Sequence, residues 1–142
     1  MPENSALQFV DTNIIVYAYD VSHAEKWNRA RSLLEDLWKS GHGCISIQVL
    51  QELFVTLTRK IPKPIPVDTA TRLIGDLGQW RLHTPGLESI LEAVDIQQRN
   101  HLSFWDAMIV CSAKSMGCQT IWTEDLNANQ VYENVKAVNP FL

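Results

Sequence analysis

Residues 9–20 read FVDTNIIVYAYD, a short apolar stretch that runs directly into three polar residues and then into a second apolar stretch. The first stretch, extended back to residues 6–10 (ALQFV), predicts a buried strand. Asp11, Thr12 and Asn13 all favour the position just before a helix, so residues 14–20 are predicted to form a short helix. A strand that leads straight into a helix is the unit from which parallel sheets are built.

The same alternation continues along the chain. Apolar residues at helical spacing predict helices at 24–39, 48–59, 67–78, 87–100 and 104–116, and short apolar runs predict strands at 44–47, 80–83, 119–122 and 135–138. Three prolines exclude a helix at residues 60–66. The order β-α-α-β-α-α-β-α-α-β-β indicates a mainly parallel sheet covered on both faces. We see no repeat or low-complexity segment and predict one domain over residues 1–142.

Charge and composition exclude several classes of protein. The chain has 142 residues and a net charge of −4, which argues against simple electrostatic binding of nucleic acid. Residues 26–63, however, carry +4, which leaves −8 for the remainder. This basic window is either a solvated helix face or a binding face.

The location of the protein is predicted from what its sequence lacks. No apolar run approaches the ~20 residues that span a bilayer, and the N-terminal MPENSALQ has no signal-peptide pattern. We therefore expect a soluble, cytoplasmic protein without membrane association. The three cysteines, Cys44, Cys111 and Cys118, match no disulfide or zinc pattern and are predicted to be buried thiols.

Two acidic residues stand just after predicted strands. Asp11 directly follows the first strand, and Asp125 comes two residues after the strand at 119–122. Open parallel sheets bind ligands at the carboxyl ends of their strands. Taken alone, each acid is better explained as a cap or turn residue, and Glu124 is an alternative to Asp125.

Two further acids lie on predicted helices. Asp106 comes three residues after Ser103, in the first turn of a helix that is apolar nearly all round and must therefore be buried. Glu52 projects from the side of its helix opposite to an apolar stripe. Alone, the first acid is a capping residue and the second belongs to a solvated face.

Together, the four acids predict a metal site. If they converge in one small domain, their mutual repulsion requires a counter-charge, and a hard cation with oxygen ligands supplies it. We expect Mg²⁺, with Mn²⁺ as the alternative. Such a cation suits phosphodiester hydrolysis, because it activates water and stabilises charge on phosphate oxygens. The sequence shows no P-loop, dinucleotide fingerprint or nucleophile elbow that would favour another chemistry.

Four segments resemble the PIN-domain family in order and over essentially the whole chain. FVDTNIIVYAYD resembles the opening of the family, QELFVTL (51–57) its second segment, and LSFWDAMIVCSAK (102–114) its third. TIWTEDLNANQVYENVKAVNPF (120–141) resembles the final one. The resemblance is strongest to the VapC-type toxin ribonucleases of VapBC toxin–antitoxin systems.

The resemblance implies a fold, an activity and a site. The fold would be a three-layer α/β/α sandwich with a mostly parallel central sheet. The protein would be a Mg²⁺-dependent endoribonuclease toxin that acts on RNA, is held inactive by a small antitoxin protein and forms a homodimer. Asp11 and Asp106 would be the principal metal ligands, Asp125 and Glu52 would complete the cluster, and Asn13 and Thr123 would hydrogen-bond around it. Many relatives carry a further acid where this chain has Asn127, so one or two metal ions remain open.

Two other aspartate-based folds fit the sequence less well, and two other roles fit the same fold. A dehalogenase-like phosphatase needs a second aspartate two residues after the first, where this chain has Asn13. A receiver domain needs a lysine at a late strand end, where this chain has Trp122, Thr123 and Glu124. A PIN nuclease of RNA maturation and a non-catalytic PIN-fold binding module stay as alternatives, although the intact set of four acids argues against the latter.

Three surface features are predicted to serve binding. The helices at 13–20 and 24–39 are candidate antitoxin or dimer contacts. Three tryptophans are candidates for stacking on bases or a partner, with core packing as the alternative: Trp27, Trp38 and Trp80. Five basic residues are candidates for holding the RNA backbone: Arg29, Arg31, Arg59, Lys60 and Lys63.

Overall fold

The computed structural model describes residues 6–142, in which a six-stranded sheet lies between helices. Residues 1–5, which make up most of the N-terminal stretch for which no signal peptide is predicted, lie outside the described residues. The strands are β1 (Gln8–Val10), β2 (Gly43–Ser46), β3 (Arg81–His83), β4 (Thr120–Trp122), β5 (Val131–Tyr132) and β6 (Val135–Val138). The helices are α1 (Thr12–Tyr17), α2 (Ala24–Ser40), α3 (Ile47–Val55), α4 (Val67–Leu77), α5 (Leu87–Asn100) and α6 (Phe104–Ser115).

The sheet has the order β3-β2-β1-β4-β6-β5. All neighbouring strands are parallel except β5 and β6, which form an antiparallel hairpin. The strand order runs one way from β1 to β3 and the other way from β4 onwards, so the sheet has a switch point between β1 and β4. The predicted mostly parallel sheet is confirmed.

Helices cover both faces of the sheet. Every residue of β2 is buried, which requires cover on both sides, and both α2 and α6 pack against this strand. The helix α6 is buried at seven consecutive positions, from Ala107 to Ala113, as its apolar sequence predicts. The predicted α/β/α sandwich is confirmed.

Helix α1 begins and ends earlier than predicted. It starts at Thr12 because the backbone of Asp11 is extended (φ −75°, ψ 158°) and its side chain accepts a hydrogen bond from Thr12 N. It ends at Tyr17, and the chain then turns at Asp20, whose carboxylate accepts hydrogen bonds from Ser22. The sequence placed the cap within three polar residues, and the first of them proves to be the cap.

The helix predicted over residues 48–59 is divided. Regular α3 ends at Val55 and continues as a π-helical turn over Thr56–Lys60, which closes with a hydrogen bond from Ile61 N to Thr56 O. Thr58 Oγ1 also donates to Phe54 O, a side-chain bond that competes with the regular backbone ladder. The hydrophobic period is too coarse to show this single extra residue.

The hairpin β5–β6 contains a strand that was not predicted. β5 has two residues, Val131 and Tyr132, which is too few for an alternating pattern. The turn consists of Glu133 and Asn134, both with positive φ (51° and 69°), the twist that two-residue hairpins require.

Two further features are the state of the cysteines and the length of the apolar helices. Cys44, Cys111 and Cys118 are buried free thiols, as expected. Within residues 6–142, the structure has no helix that is long and apolar enough to cross a membrane.

Candidate active site

The switch point of the sheet brings two ends of the chain together. β1 and β4 are hydrogen-bonded neighbours, with Val10 opposite Trp122, and Asp11 N donates to Trp122 O over 2.9 Å. The residues that follow the two strands therefore lie side by side. Crevices of this kind are where open parallel sheets bind ligands.

Asp11 lies at the centre of this crevice. Its side chain is 5% exposed, with Oδ1 accepting from Thr12 N and Oδ2 accepting from the hydroxyl of Thr123, both over 2.8 Å. Burial raises the pKa of Asp11 to about 7, against the lowering effect of these two hydrogen bonds, and the charges of Asp125 and Glu52 raise it further. At neutral pH this carboxyl is poised between its neutral and charged forms.

Glu52 reaches the site from α3 through a hydrogen bond. Thr12 Oγ1 donates to Glu52 Oε1 over 2.8 Å, so one threonine bridges the two acids: its backbone N–H contacts Asp11 and its hydroxyl contacts Glu52. This contact joins residues forty positions apart. It explains how an acid on the solvated face of α3 is held toward the end of β1.

Asp125 follows β4 on the other side of Asp11. Its backbone N–H donates to Thr123 Oγ1 over 3.0 Å, so the buried Thr123 hydroxyl connects Asp11 with the Asp125 backbone. Partial loss of solvent raises the pKa of Asp125, and the charge of Asp106 raises it further, whereas the Asn13 side chain lowers it. Asn13 Nδ2 makes no hydrogen bond of regular geometry among the described residues, so the contact through which it lowers the pKa of Asp125 is weak.

Glu124, the alternative to Asp125, is engaged elsewhere. Its carboxylate pairs with Lys26 Nζ on α2 over 2.6 Å, and that ammonium also lies 4.7 Å from the centre of the Tyr17 ring. Asp125 lines the cleft beside Asp11, so the geometry favours Asp125 as the acid of the site.

Asp106 approaches from the start of α6. Its backbone N–H donates to Ser103 Oγ over 3.1 Å, which is the N-cap predicted for this helix. The side chain is half-buried and lines the same cleft as the other three acids. The negative charge of Asp106 raises the pKa of Asp125.

A single cleft of about 620 Å³ therefore collects all four predicted acids. It is also lined by Asn13 and Thr12, while Thr123 is buried directly behind Asp11. Among residues 6–142, no three Asp, Glu, His or Cys side chains are already close enough together to form a ready-made metal site. The acids converge on one cleft without collapsing into one cluster.

The donor set fits a hard divalent cation. All four side chains offer carboxylate oxygens, and the raised pKa values of Asp11 and Asp125 reflect burial and repulsion that a cation would offset. Mg²⁺ is usually bound through one or two carboxylates and keeps several waters, so it does not require three ligands in contact beforehand.

Several cleft residues were not singled out from the sequence. Gln48 stands four residues before Glu52 on α3, and Trp105 directly precedes Asp106. These offsets from the two predicted acids are the signals that could have identified them. Tyr17 and His23 also line the cleft, and their rings contact each other edge to face at 5.6 Å.

The predicted basic and aromatic residues are distributed differently. Lys60 lines the cleft, at the end of the π-helical turn. Arg29 donates to Pro140 O and Arg31 to Ala18 O, so both are used within the fold. Trp38, which is half-exposed, packs edge to face against Trp80 at 5.7 Å, and Trp27 carries Arg31 over its ring.

Comparisons with known proteins agree with this arrangement. The family described as the PIN domain matches residues 9–134. No curated protein matches the sequence.

Several solved structures share the fold. A toxin–antitoxin complex from Klebsiella pneumoniae aligns with a TM-score of 0.70 at 17% identity, over 94% of this chain and 97% of that one. The sarcin–ricin-loop-cleaving toxin VapC20 of Mycobacterium tuberculosis gives 0.65 at 22% identity, over 83% and 89%. VapBC2 of Rickettsia felis, bound to a DNA fragment from the promoter, gives 0.60 at 19% identity, over 92% and 96%. At these identities, the similarity establishes the fold.

Proposed function

Because this chain belongs to the PIN-domain family, we propose that it is a metal-dependent endoribonuclease and the toxin of a type II toxin–antitoxin pair that acts in the cytoplasm. The observation that carries the proposal is the meeting of four carboxylates in one cleft, with the most buried of them holding a pKa of about 7. Desolvating a carboxylate is costly, and a purely structural cap has no need of three further acids around it.

The carboxylates are the groups that would hold the cation, Mg²⁺ or Mn²⁺. Asp11 and Asp106 are assigned as its principal ligands, with Asp125 and Glu52 completing the site directly or through water. When bound, the cation lowers the pKa of a water molecule and stabilises negative charge on phosphate oxygens.

The surrounding residues hold the acids in place. The hydroxyl of Thr123 and the backbone N–H of Thr12 fix both oxygens of Asp11, and the hydroxyl of Thr12 orients Glu52. Lys60 lines the cleft and supplies a positive charge for the phosphate backbone of the RNA, which the acids alone would repel.

We propose a small antitoxin and a second copy of the chain as protein partners. Two of the solved structures with this fold are toxin–antitoxin complexes, which supports the antitoxin as a partner. A stripe of exposed apolar side chains on α5 supports a protein contact, since such patches on soluble proteins usually mark interfaces: Leu87, Ile90, Leu91 and Val94.

Cleavage of a structured RNA mixture tests the enzymatic proposal. We expect the purified protein to cut with Mg²⁺, to stop in EDTA, and to lose at least a hundredfold in rate in Asp11→Asn and in Asp106→Asn. Asp36→Asn on the exposed side of α2 is the matched control and should cut like wild type. Equal activity in EDTA and in all variants would show a contaminating nuclease or another mechanism.

Expression in bacterial cells separates a toxin from a maturation enzyme or a binding module. We expect induction of the wild type to arrest growth and induction of Asp11→Asn to be harmless. Growth arrest by both would point to binding without catalysis. Cleavage in vitro without growth arrest would favour a role in RNA maturation.

A further inference from the structure

A buried acceptor on a residue that lines the cleft has no partner among the residues that the structure describes. Gln48 on α3 is 8% exposed and lines the cleft, and no hydrogen-bond partner within residues 6–142 meets its Oε1 atom. Buried side-chain oxygens almost always have a partner, and leaving one unpaired destabilises the fold. The unpaired Oε1 would be satisfied by a donor from outside the described residues.

The orientation of the Gln48 amide is fixed by its other end. Nε2 donates to the backbone oxygen of Trp105 over 3.2 Å, and that oxygen can only accept. A flipped amide would face two oxygens toward each other, so the atom left without a partner is the acceptor Oε1.

The same backbone carries an exposed aromatic ring. The side chain of Trp105 is 63% exposed and also lines the cleft. It is supported by Phe104, whose ring meets it edge to face at 5.1 Å. An indole held open to solvent in a cleft is a surface on which an unstacked base can lie.

Both groups are immediate neighbours of the acids. Gln48 and Glu52 are four residues apart on α3, so they are separated by about one helical turn (~5.4 Å) on one side of the helix. Trp105 directly precedes Asp106. A nucleotide with its phosphate at the acids would place its base next to the indole and the free acceptor.

We propose that Gln48 and Trp105 form a base-recognition subsite of the cleft, in which the indole stacks on an RNA base and Oε1 accepts a hydrogen bond from that base's exocyclic amino group. The inference rests on the proposed ribonuclease function and deepens it, because it assigns a preference for adenine, guanine or cytosine over bases without such a group. Gln48 and Trp105 determine specificity; the acids carry the reaction.

Binding of short RNA tests the subsite without relying on cleavage. Fluorescein-labelled hexaribonucleotides, with uridines around one central test base, are titrated into the Asp11→Asn protein with Mg²⁺ and followed by anisotropy. The test bases form three pairs that differ by one amino group: adenine against purine, guanine against hypoxanthine, and cytosine against pyrimidin-2-one. We expect the amino-bearing member of at least one pair to bind about tenfold more tightly, as the loss of one hydrogen bond predicts.

Variants then assign the preference to residues. Gln48→Leu in the same background should abolish the difference within the pair, whereas Gln51→Leu, an exposed glutamine of the same helix and cleft, should keep it. Trp105→Ala should weaken all hexamers about tenfold or more, and Trp38→Ala, which removes a half-exposed indole packed on Trp80, should not. A merely structural effect of Gln48→Leu would lower both members of a pair equally.

Each contrary result is decisive. Equal binding of both members in all three pairs overturns the subsite without any variant. A preference that survives Gln48→Leu also overturns it and would leave Oε1 to an ordered water. Unchanged affinity in Trp105→Ala also overturns it and would reassign the indole to a protein contact. If Mg²⁺-dependent cleavage persists in these cases, only the subsite fails. If RNA is neither bound nor cut, the proposed function fails with it.

Discussion

In the absence of metal, Asp11→Asn should make the fold more stable at pH 8 than the wild type. The carboxyl of Asp11 ionises near pH 3.8 in the unfolded chain, whereas burial raises its pKa in the fold to about 7. The folded protein therefore binds a proton that the unfolded chain has released, and the stability that this proton contributes is lost as the pH rises through the folded value.

The size of the effect follows from the pKa. At pH 5 the folded carboxyl lies about two units below its pKa, and at ~1.36 kcal/mol per unit the wild type loses about 2.5 kcal/mol of stability between pH 5 and pH 8. Asparagine does not titrate, so the variant escapes this loss. It places an amide nitrogen opposite the Thr123 hydroxyl and forfeits about 1 kcal/mol at every pH. The variant should thus be slightly less stable at pH 5 and about 1–2 kcal/mol more stable at pH 8.

Urea unfolding in EDTA at pH 5, 6.5 and 8, followed by tryptophan fluorescence and circular dichroism, measures this difference. Asp36→Asn removes one exposed carboxylate and is the control for net charge. Added Mg²⁺ at pH 8 should stabilise the wild type more than Asp11→Asn, because a ligand that binds only the folded state favours it. A gap between wild type and Asp11→Asn that stays constant from pH 5 to pH 8 would refute the reasoning, since Asp11 would then ionise like an exposed acid.

Three further predictions use other contacts. Thr12→Val should lower RNA cleavage about tenfold at an unchanged melting temperature, because Glu52 loses the hydrogen bond from the Thr12 hydroxyl. Thr12→Ser should restore cleavage. Full activity in Thr12→Val would show that this hydrogen bond is not needed at the site. Gly43→Ala should destabilise the fold by roughly 1–3 kcal/mol in urea unfolding, because the Cβ of the new alanine would lie 2.5 Å from the Trp80 ring. A stability equal to that of the wild type would show that the ring can move away freely. The hydrogen bond from Arg99 lowers the pKa of Glu133 to about 2, so the stability that this carboxylate contributes is complete above pH 4.5 and lost as the pH falls through 2. Glu133→Gln should therefore unfold at nearly the same urea concentration as wild type at or below pH 2 and at a lower one at pH 7. An equal loss of stability at both pH values would contradict an ionic role.

The acids at the strand ends were the part of the site that sequence reasoning reached best. Asp11 and Asp125 could be placed at one edge because parallel strands share a direction, and the order of β1 and β4 then makes them neighbours. The pattern could not show that Glu52 is bound by Thr12, because this contact depends on how α3 packs across the sheet.

The missed elements are those in which one or two residues decide. The π-helical turn at Thr56–Lys60 differs from a helix by a single backbone hydrogen-bond register, and β5 has only two residues. Gln48 and Trp105 were not predicted from the sequence for a different reason. Glutamine and tryptophan on helices are ordinary residues until burial leaves one oxygen unpaired and solvent reaches one ring.

The place of β4 in the sheet has a consequence for how the protein is made. Gln8 in the first strand pairs with Thr120, so β4, one of the two neighbours of β1 in the sheet, is synthesised long after β1 itself. A growing chain that ends before β4 already carries Asp11, Glu52 and Asp106 but lacks Thr123 and Asp125. Domains fold as their segments leave the ribosome. The cleft beside Asp11 is therefore incomplete until β4 and the residues that follow it have been added to the sheet.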